Sequence, residues 1–422
     1  MVIDVGPIRT SRGFRWLYAG QVGANLARHV LVVTVPYQVF IITESSLYVG
    51  LAGLAQVVPL VACSLVGGAV ADAFDRRRVL VAVQLGMAIT SIGFAFNTGA
   101  SAALWPIFVL IALNAGLAGV ESPARTALIP SLVTPAQLPA AFALNATLSQ
   151  TAQVVGPALA GLLIAQLSIA AAYWVAAAAS LATALAMIPL GVRDVQGAGG
   201  RFSPGAIAEG WRYLRAAPLL QQVMLIDLNA MVFGMPRALF PEIGIQVLGG
   251  DATTVGLLHA APGAGALAGA LTTGWVSLIK RQGRVVVIGV CIWGLAIVGV
   301  GFTGNITVAL ALLAIAGAGD VVSNVFRNAI LQMAVPDVLR GRLSAFKAAL
   351  SGGGPHLGDA ESGAVATFTT PATSVISGGL LTILGAVLIT EWGRDLWDQR
   401  TDDLVAPTPI NDLTAGVGEV VR

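Results

Sequence analysis

Several ionisable side chains lie inside long apolar runs of this sequence. Asp320, Asn324 and Arg327 follow an i, i+4, i+7 spacing, which puts them on one face of a helix. His356 and Asp359 share a face of a later run. Charged groups in apolar surroundings are costly and mark sites of function unless they are paired. Carboxylates of this kind can take up and release protons, and cations beside them can hold a charged ligand.

The polar residues that we expect to line a central cavity between helices share this apolar setting. They are Arg28, Asn145, Gln153, Asp227, Arg237, Asp320, Asn324, His356, Asp359 and Glu361. The alternative is that these groups only hold helices together by hydrogen bonds or ion pairs. Arg327 favours that alternative, because it repeats Arg125 at the edge of a run. The sequence does not select the carboxylate that would carry a proton.

Helices that cross a membrane must position these side chains. The chain has 422 residues, of which 56% are hydrophobic and 10% charged, whereas soluble domains carry about 25% charged residues. Apolar runs of about 20 residues without period-two alternation predict transmembrane helices rather than barrel strands. The predicted spans are 15–42, 47–71, 79–97, 103–121, 139–164, 169–190, 219–245, 253–279, 285–302, 306–333, 343–367 and 373–392.

The distribution of positive charge supports this count of twelve. Of the 23 Lys and Arg, 19 lie in the two tails or in alternate connections, and the intervening connections have none. Arg28, Arg125, Arg237 and Arg327 are the exceptions, inside or at the edge of spans. The pattern predicts a multi-pass protein of a bacterial-type cytoplasmic membrane with both termini cytoplasmic. The net charge of +2 predicts no nucleic-acid partner.

An internal repeat divides the predicted helices into two sets of six. The basic turns that begin at Gly68 and Gly274 lie 206 residues apart, and Arg125 matches Arg327 at an offset of 202. Parallel repeats of this kind are found in transporters. The predicted organisation is a tail (1–14), a six-helix bundle (15–190), a linker with an amphipathic helix (191–218), a second six-helix bundle (219–392) and a tail (393–422).

The first basic turn and the two-bundle pattern resemble the major facilitator superfamily, in particular the subgroup that contains siderophore (enterobactin) exporters. The superfamily's signature between helices 2 and 3 is met by Gly68, Asp72, Arg76 and Arg77, with departures at Ala73 and Asp75. The resemblance implies a conformational latch on the cytoplasmic side. Its residues would be Gly68, Asp72, Asp75, Arg76, Arg77 and Arg125. Gly156, Pro157 and Gly161 resemble the superfamily's antiporter motif in helix 5, with Ala160 in place of one Gly.

Other chemistries find little support in the sequence. No phosphate-binding Gly-rich loop with its Lys is present, so ATP-driven transport within this chain is disfavoured. The two cysteines and three histidines show no metal-ligand spacing, and no catalytic constellation is visible. We therefore expect no metal, no cofactor and no enzyme activity.

The expected function is secondary active export of a small organic molecule by alternating access. Protons are the expected coupling ion, the lipid bilayer is the expected surrounding, and the protein is expected to be a monomer. The cargo would be a siderophore or a drug-like compound. An importer or facilitator of the same fold, and a membrane sensor that transports nothing, are the alternatives.

Overall fold

The computed structural model describes residues 4–99, 102–190, 211–272, 279–335 and 337–399, without the side chains of 69, 71, 72, 337–342, 344, 345, 348 and 349. These residues form helices and no strand. The helices are α1 (Gly6–Thr10), α2 (Arg12–Thr43), α3 (Ser46–Ala73), α4 (Arg76–Phe96), α5 (Leu104–Leu132), α6 (Leu138–Gln166), α7 (Ile169–Met187), α8 (211–216), α9 (Pro218–Phe233), α10 (Phe240–Glu242), α11 (Ala252–Leu271), α12 (Gln282–Phe302), α13 (Ile306–Ala334), α14 (Asp337–Phe368), α15 (Pro371–Trp392) and α16 (Asp395–Asp398).

Polar caps define where several helices begin. The Ser11 hydroxyl accepts a hydrogen bond from the Phe14 backbone N–H at 3.1 Å and caps α2. Asp75 caps α4, and Asp251 caps α11 by accepting from the Thr254 N–H. Such caps satisfy backbone donors that the first helical turn leaves without partners. They fix the helix ends in the short connections.

The predicted all-α membrane fold is confirmed. Among the described residues, eleven helical stretches are long and apolar enough to cross a membrane. The 32-residue α14 is a twelfth long helix, and it is more polar, with Lys347, Asp359 and Glu361 on it. Large aromatic side chains at the helix ends, such as Phe96 and Trp105, are exposed. Tryptophan and tyrosine are enriched where a bilayer meets water.

Two of the differences from the sequence prediction bear on the cavity residues. The prediction ended one span at residue 121, but α5 continues through Pro123 and Pro130 to Leu132, so Glu121 and Arg125 both lie within it. The span predicted at 219–245 is not one helix: it breaks between Phe233 and Arg237 and then continues as short 3-10, α and π turns to Val247. Pro236, which has no backbone N–H, lies in this break.

The long helices form two sets, α2–α7 and α9–α15, that meet along two seams. One seam joins α3 to α14, and the other joins α6 to α11. Glycines allow the close approach: a Cβ added to Gly256 would lie 2.6 Å from the Pro157 carbonyl oxygen, and one added to Gly53 would lie 3.1 Å from the Asp359 Cβ. Small residues at such seams let helix backbones pack in membranes.

The seams close one end of the molecule only. Pro157, Gln153 and Ser149 lie along one face of α6; Pro157 is buried against α11, whereas Gln153 and Ser149 are exposed. The buried end lies toward the connections without Lys or Arg, and the exposed end lies toward the basic turn Arg76–Arg78. The two sets of helices therefore enclose a crevice that opens toward the basic end.

Candidate functional site

A cavity of about 510 Å³ lies between the two sets of helices. Side chains from α2, α3, α4, α5 and α7 line it on one side, and side chains from the α9 break, α11 and α14 line it on the other. Most of its wall is apolar, with Leu31, Val35, Met87, Phe94 and Ile111 as examples. A largely apolar pocket with a few polar groups is typical of small-molecule sites.

An ion pair occupies the closed end of the cavity. Arg237 Nη2 donates to Asp359 Oδ2 at 3.2 Å, and His356 Nδ1 lies 3.7 Å from the same oxygen. Arg237 Nε and Asp359 Oδ1 are buried and have no hydrogen-bond partner among the described residues. The pair is therefore not fully satisfied by the protein, and this leaves it hydrogen-bonding capacity for a proton, water or ligand.

The break after α9 positions Arg237 in this pair. The Gly234 carbonyl, which the break releases from helical bonding, accepts a hydrogen bond of 2.6 Å from Trp293 Nε1. Non-helical backbone at membrane depth is tolerated where it is buried or lines a cavity. Because the helix is interrupted before Arg237, this side chain lies in the wall of the cavity.

Two hydrogen-bonded side-chain pairs join α2 to α5 on the other side of the cavity. Arg28 Nη2 donates to Glu121 Oε2 at 2.8 Å, and Arg125 Nη1 donates to Gln21 Oε1 at 2.7 Å. The Arg28 side chain is 40% exposed and lines the cavity, whereas that of Glu121 is 1% exposed. Glu121 thus lies behind Arg28.

A buried arginine joins α13 to α9 in the second set of helices. Arg327 Nη2 lies 3.1 Å from Asp227 Oδ1 and 3.1 Å from Asp320 Oδ1. Arg327 with Asp227 repeats Arg125 with Gln21 at nearly the same sequence offset. Nearby, Asn328 donates to Asn324 at 2.9 Å and accepts a hydrogen bond from Lys347.

The cavity brings together only part of the set predicted from sequence. Arg28, Arg237, His356 and Asp359 line it. The other predicted cavity residues lie outside its lining: Asn145, Gln153, Asp227, Asp320, Asn324 and Glu361. Asn145 donates to the Ala141 carbonyl of its own helix, and Glu361 is half-buried on α14 without a polar partner among the described residues. The functional roles of all these residues stay predictions.

The predicted latch is described in part. Asp75 accepts a hydrogen bond from the Arg77 N–H at 2.9 Å and so caps α4, and Arg76 donates to the Ala127 carbonyl on α5 at 3.1 Å. A Cβ added to Gly68 would have no neighbour within 4 Å. The Asp72 side chain lies outside the described residues, so its predicted role stays a prediction.

The antiporter-like motif lies at helix contacts. Gly156 faces His29 on α2, and Gly161 packs on α11, where an added Cβ would lie 2.9 Å from the Gly256 Cα. The motif therefore joins α6 both to its own set of helices and to the second set.

Sequence reasoning missed three contributors. Glu121 was overlooked because it stood at the end of a predicted span, although its i, i+4 spacing to Arg125 was visible. His259, which was not among the predicted cavity residues, lines the cavity and packs edge-on against Phe240. The Ser46 hydroxyl donates to Glu242 across the closed end. The described residues contain no cluster of side chains suited to hold a metal ion.

Comparisons with known proteins agree with this architecture. The family described as transmembrane secretion effector matches residues 4–413. The enterobactin exporter EntS of Citrobacter koseri is 27% identical over 399 residues, which cover 93% of this chain and 95% of that protein.

Two solved structures show the same fold. A mutant of the nucleoside transporter NupG is similar with a TM-score of 0.76 at 12% identity, over 90% of this chain and 99% of that one. A POT family transporter is similar with a TM-score of 0.71 at 11% identity, over 92% and 97%. Since the family match spans nearly the whole chain, the protein belongs to the transmembrane secretion effectors of the major facilitator superfamily, a family of membrane transporters.

Proposed function

We propose that the protein exports a small organic molecule across a bacterial cytoplasmic membrane in exchange for protons. The basic end of the molecule faces the cytoplasm in this proposal, since Lys and Arg are retained on that side. The crevice then opens inward. The helices within 15–190 and 219–392 act as two bundles that rock about the central cavity.

The observation that carries the proposal is the position of Asp359 at the closed end of the cavity. Asp227 and Asp320 share Arg327 away from the cavity lining, and Glu361 lies outside that lining. Asp359 both lines the cavity and packs against Gly53 at the seam between α3 and α14. Opening that seam would expose the carboxylate to the outer solution, and closing it returns the carboxylate to the inward cavity.

The exchange follows from this placement. In the outward-open state, Asp359 takes up a proton, which removes the negative charge that Arg237 pairs with. In the inward-open state, Asp359 loses that proton to the cytoplasm, and its ion pair with Arg237 forms again. Proton release and substrate loading thus take place in one cavity that faces the two sides of the membrane in turn, as antiport requires.

The proposed cargo is a siderophore or a drug-like compound. A volume of about 510 Å³ lies within the range of small-molecule pockets, about 300–1,000 Å³. The apolar wall suits an aromatic or otherwise apolar body. The name of the Citrobacter koseri relative, an enterobactin exporter, supports the siderophore class.

Everted membrane vesicles test the proposal. When they are energised, wild-type protein should accumulate a member of a panel of siderophores and fluorescent dyes, and Asp359→Asn should lower accumulation by about tenfold or more, the effect of one charge-assisted interaction. Glu391→Gln is the matched control, because Glu391 is an exposed carboxylate at the end of α15.

The outcomes separate the alternatives. Accumulation by Asp359→Asn equal to that of the control would reject the proposed coupling residue. Energised uptake into right-side-out vesicles instead would indicate an importer, and no flux of any compound would support the sensor alternative.

A further inference from the structure

The charges that meet between α2 and α5 do not balance. Arg28 and Glu121 form one side-chain pair, and Arg125 and Gln21 form the other. Glu121 and Arg125 lie four residues apart on α5, and Gln21 and Arg28 lie seven apart on α2. The two pairs are therefore neighbours on facing helix surfaces. Two guanidinium groups therefore share a single carboxylate.

The excess positive charge faces the cavity. Arg28 is the exposed member of its pair, and Glu121 is buried behind it. Asn114 and Ser122 on α5 line the same wall. Glu121 Oε1 and Gln21 Nε2 are buried without a hydrogen-bond partner in the described part of the chain. A sealed structural bridge would leave fewer such atoms.

The other charged groups of the cavity do not cancel this excess. Arg237 and Asp359 pair with each other at the closed end. The repeat-related cluster on α9 and α13 is balanced, since Arg327 and Lys347 both lie near Asp227 and Asp320, and those two carboxylates are not in the cavity lining. The positive charge at Arg28 is thus left for a ligand.

We infer that Arg28, held by Glu121 and backed by Arg125, is a binding site for an anionic group of the transported molecule. The substrate class is an amphipathic anion: an apolar or aromatic body against the Leu31 and Phe94 wall, with a carboxylate or phenolate at the guanidinium. A guanidinium can form paired hydrogen bonds with such a group. This inference rests on the proposed function and refines its substrate.

Two dyes with one scaffold test the inference. Fluorescein is anionic at neutral pH, and tetramethylrhodamine methyl ester is a cation with the same xanthene rings. Binding of each to the purified full-length protein is measured by fluorescence anisotropy. Wild type should prefer fluorescein, and Arg28→Gln should weaken fluorescein binding by roughly tenfold without weakening binding of the cation.

A second variant should act with the opposite sign. Glu121→Gln removes the carboxylate that competes for Arg28, so fluorescein binding should strengthen. If Arg28→Gln fails to fold because it leaves Glu121 unpaired, the double variant Arg28→Gln/Glu121→Gln leaves the local net charge unchanged and should still lose the preference for the anion. Arg28→Lys should retain much of the preference for the anion. Arg394→Gln is the control for net charge, because Arg394 is exposed at the end of α15.

The inference is overturned by any of three results: a wild type that binds neither dye or prefers the cation, equal losses for both dyes in the Arg28 variants, or weaker fluorescein binding in Glu121→Gln. These binding measurements need no gradient. A protein that binds the anion but moves nothing in vesicles would contradict the transport proposal while leaving the binding site in place.

Discussion

Among single residues, Arg327 shows how a charge can be held inside a membrane protein for structural reasons. Its side chain is 3% exposed and lies between the carboxylates of Asp227 and Asp320. Loss of this cation would leave the buried Asp227 carboxylate desolvated and unpaired, whereas the Asp320 side chain is 42% exposed. The arrangement fits the interpretation of Arg327 as a brace between α9 and α13.

Substitution of Arg327 should therefore lower the stability of the folded protein. We expect Arg327→Gln to destabilise the protein by about 3–5 kcal/mol, as breaking a buried pair does. Thermal unfolding of the detergent-purified protein measures this. Arg394→Gln, which removes an exposed pair with Glu391, is the control and should leave the melting temperature almost unchanged. Equal melting temperatures for the two variants would argue against the brace.

The sequence predicted individual cavity residues better than their partners. Arg28, Arg237, His356 and Asp359 could be nominated because charge in an apolar run is rare and costly. How these residues pair could not be predicted, since Glu121 reaches Arg28 across 93 residues of chain and Asp359 reaches Arg237 across 122. Such pairs depend on how helices pack, which local spacing does not encode.

At the scale of helices, the break after α9 was the feature that hydropathy concealed. The apolar run continues through the break, so it was predicted as a single span. Gly234 and Pro236 stood in the sequence as helix-breaking signals, but proline is also tolerated inside spans, as Pro123 and Pro130 in α5 show. Here the Gly234 carbonyl accepts a hydrogen bond from Trp293 Nε1, a contact that local sequence does not report.

The glycine seam between α6 and α11 gives a prediction about gating. Gly256→Leu would force a side chain into the Pro157 carbonyl and the Gly161 backbone, so the closed end should open. A cysteine at Ala52, buried at that end, should then react faster with an impermeant maleimide added outside. Cys63 and Cys291, the only native cysteines, are first replaced by Ser.

Gly304→Leu is the matched control for this test. A Cβ at Gly304 would have no neighbour within 4 Å, so labelling at Ala52→Cys should stay at its starting rate. Slow labelling in both glycine variants would show that the α6–α11 seam does not hold the outer end closed.

At the scale of the whole molecule, the feature that the proposed mechanism depends on is the end at which the crevice opens. Hydropathy and the placement of Lys and Arg depend on local composition, and these were enough to predict the twelve long helices. The conformation was not predictable, because a transporter that alternates as proposed would adopt both inward-open and outward-open states with one sequence. The structure has the end near Arg76–Arg78 open and the end near Ser46 closed.

Alternation of that crevice is the central claim, and paired distance measurements by pulsed electron spin resonance test it most directly. Spin labels at Leu167 and Thr369 report on the closed end, and labels at Phe74 and Arg394 report on the basic end; all four residues are exposed. On addition of a transported dye, the distance across one end should lengthen while the distance across the other shortens. If both distances stay fixed, or both change in the same direction, the two bundles do not rock about a central cavity and the account is contradicted.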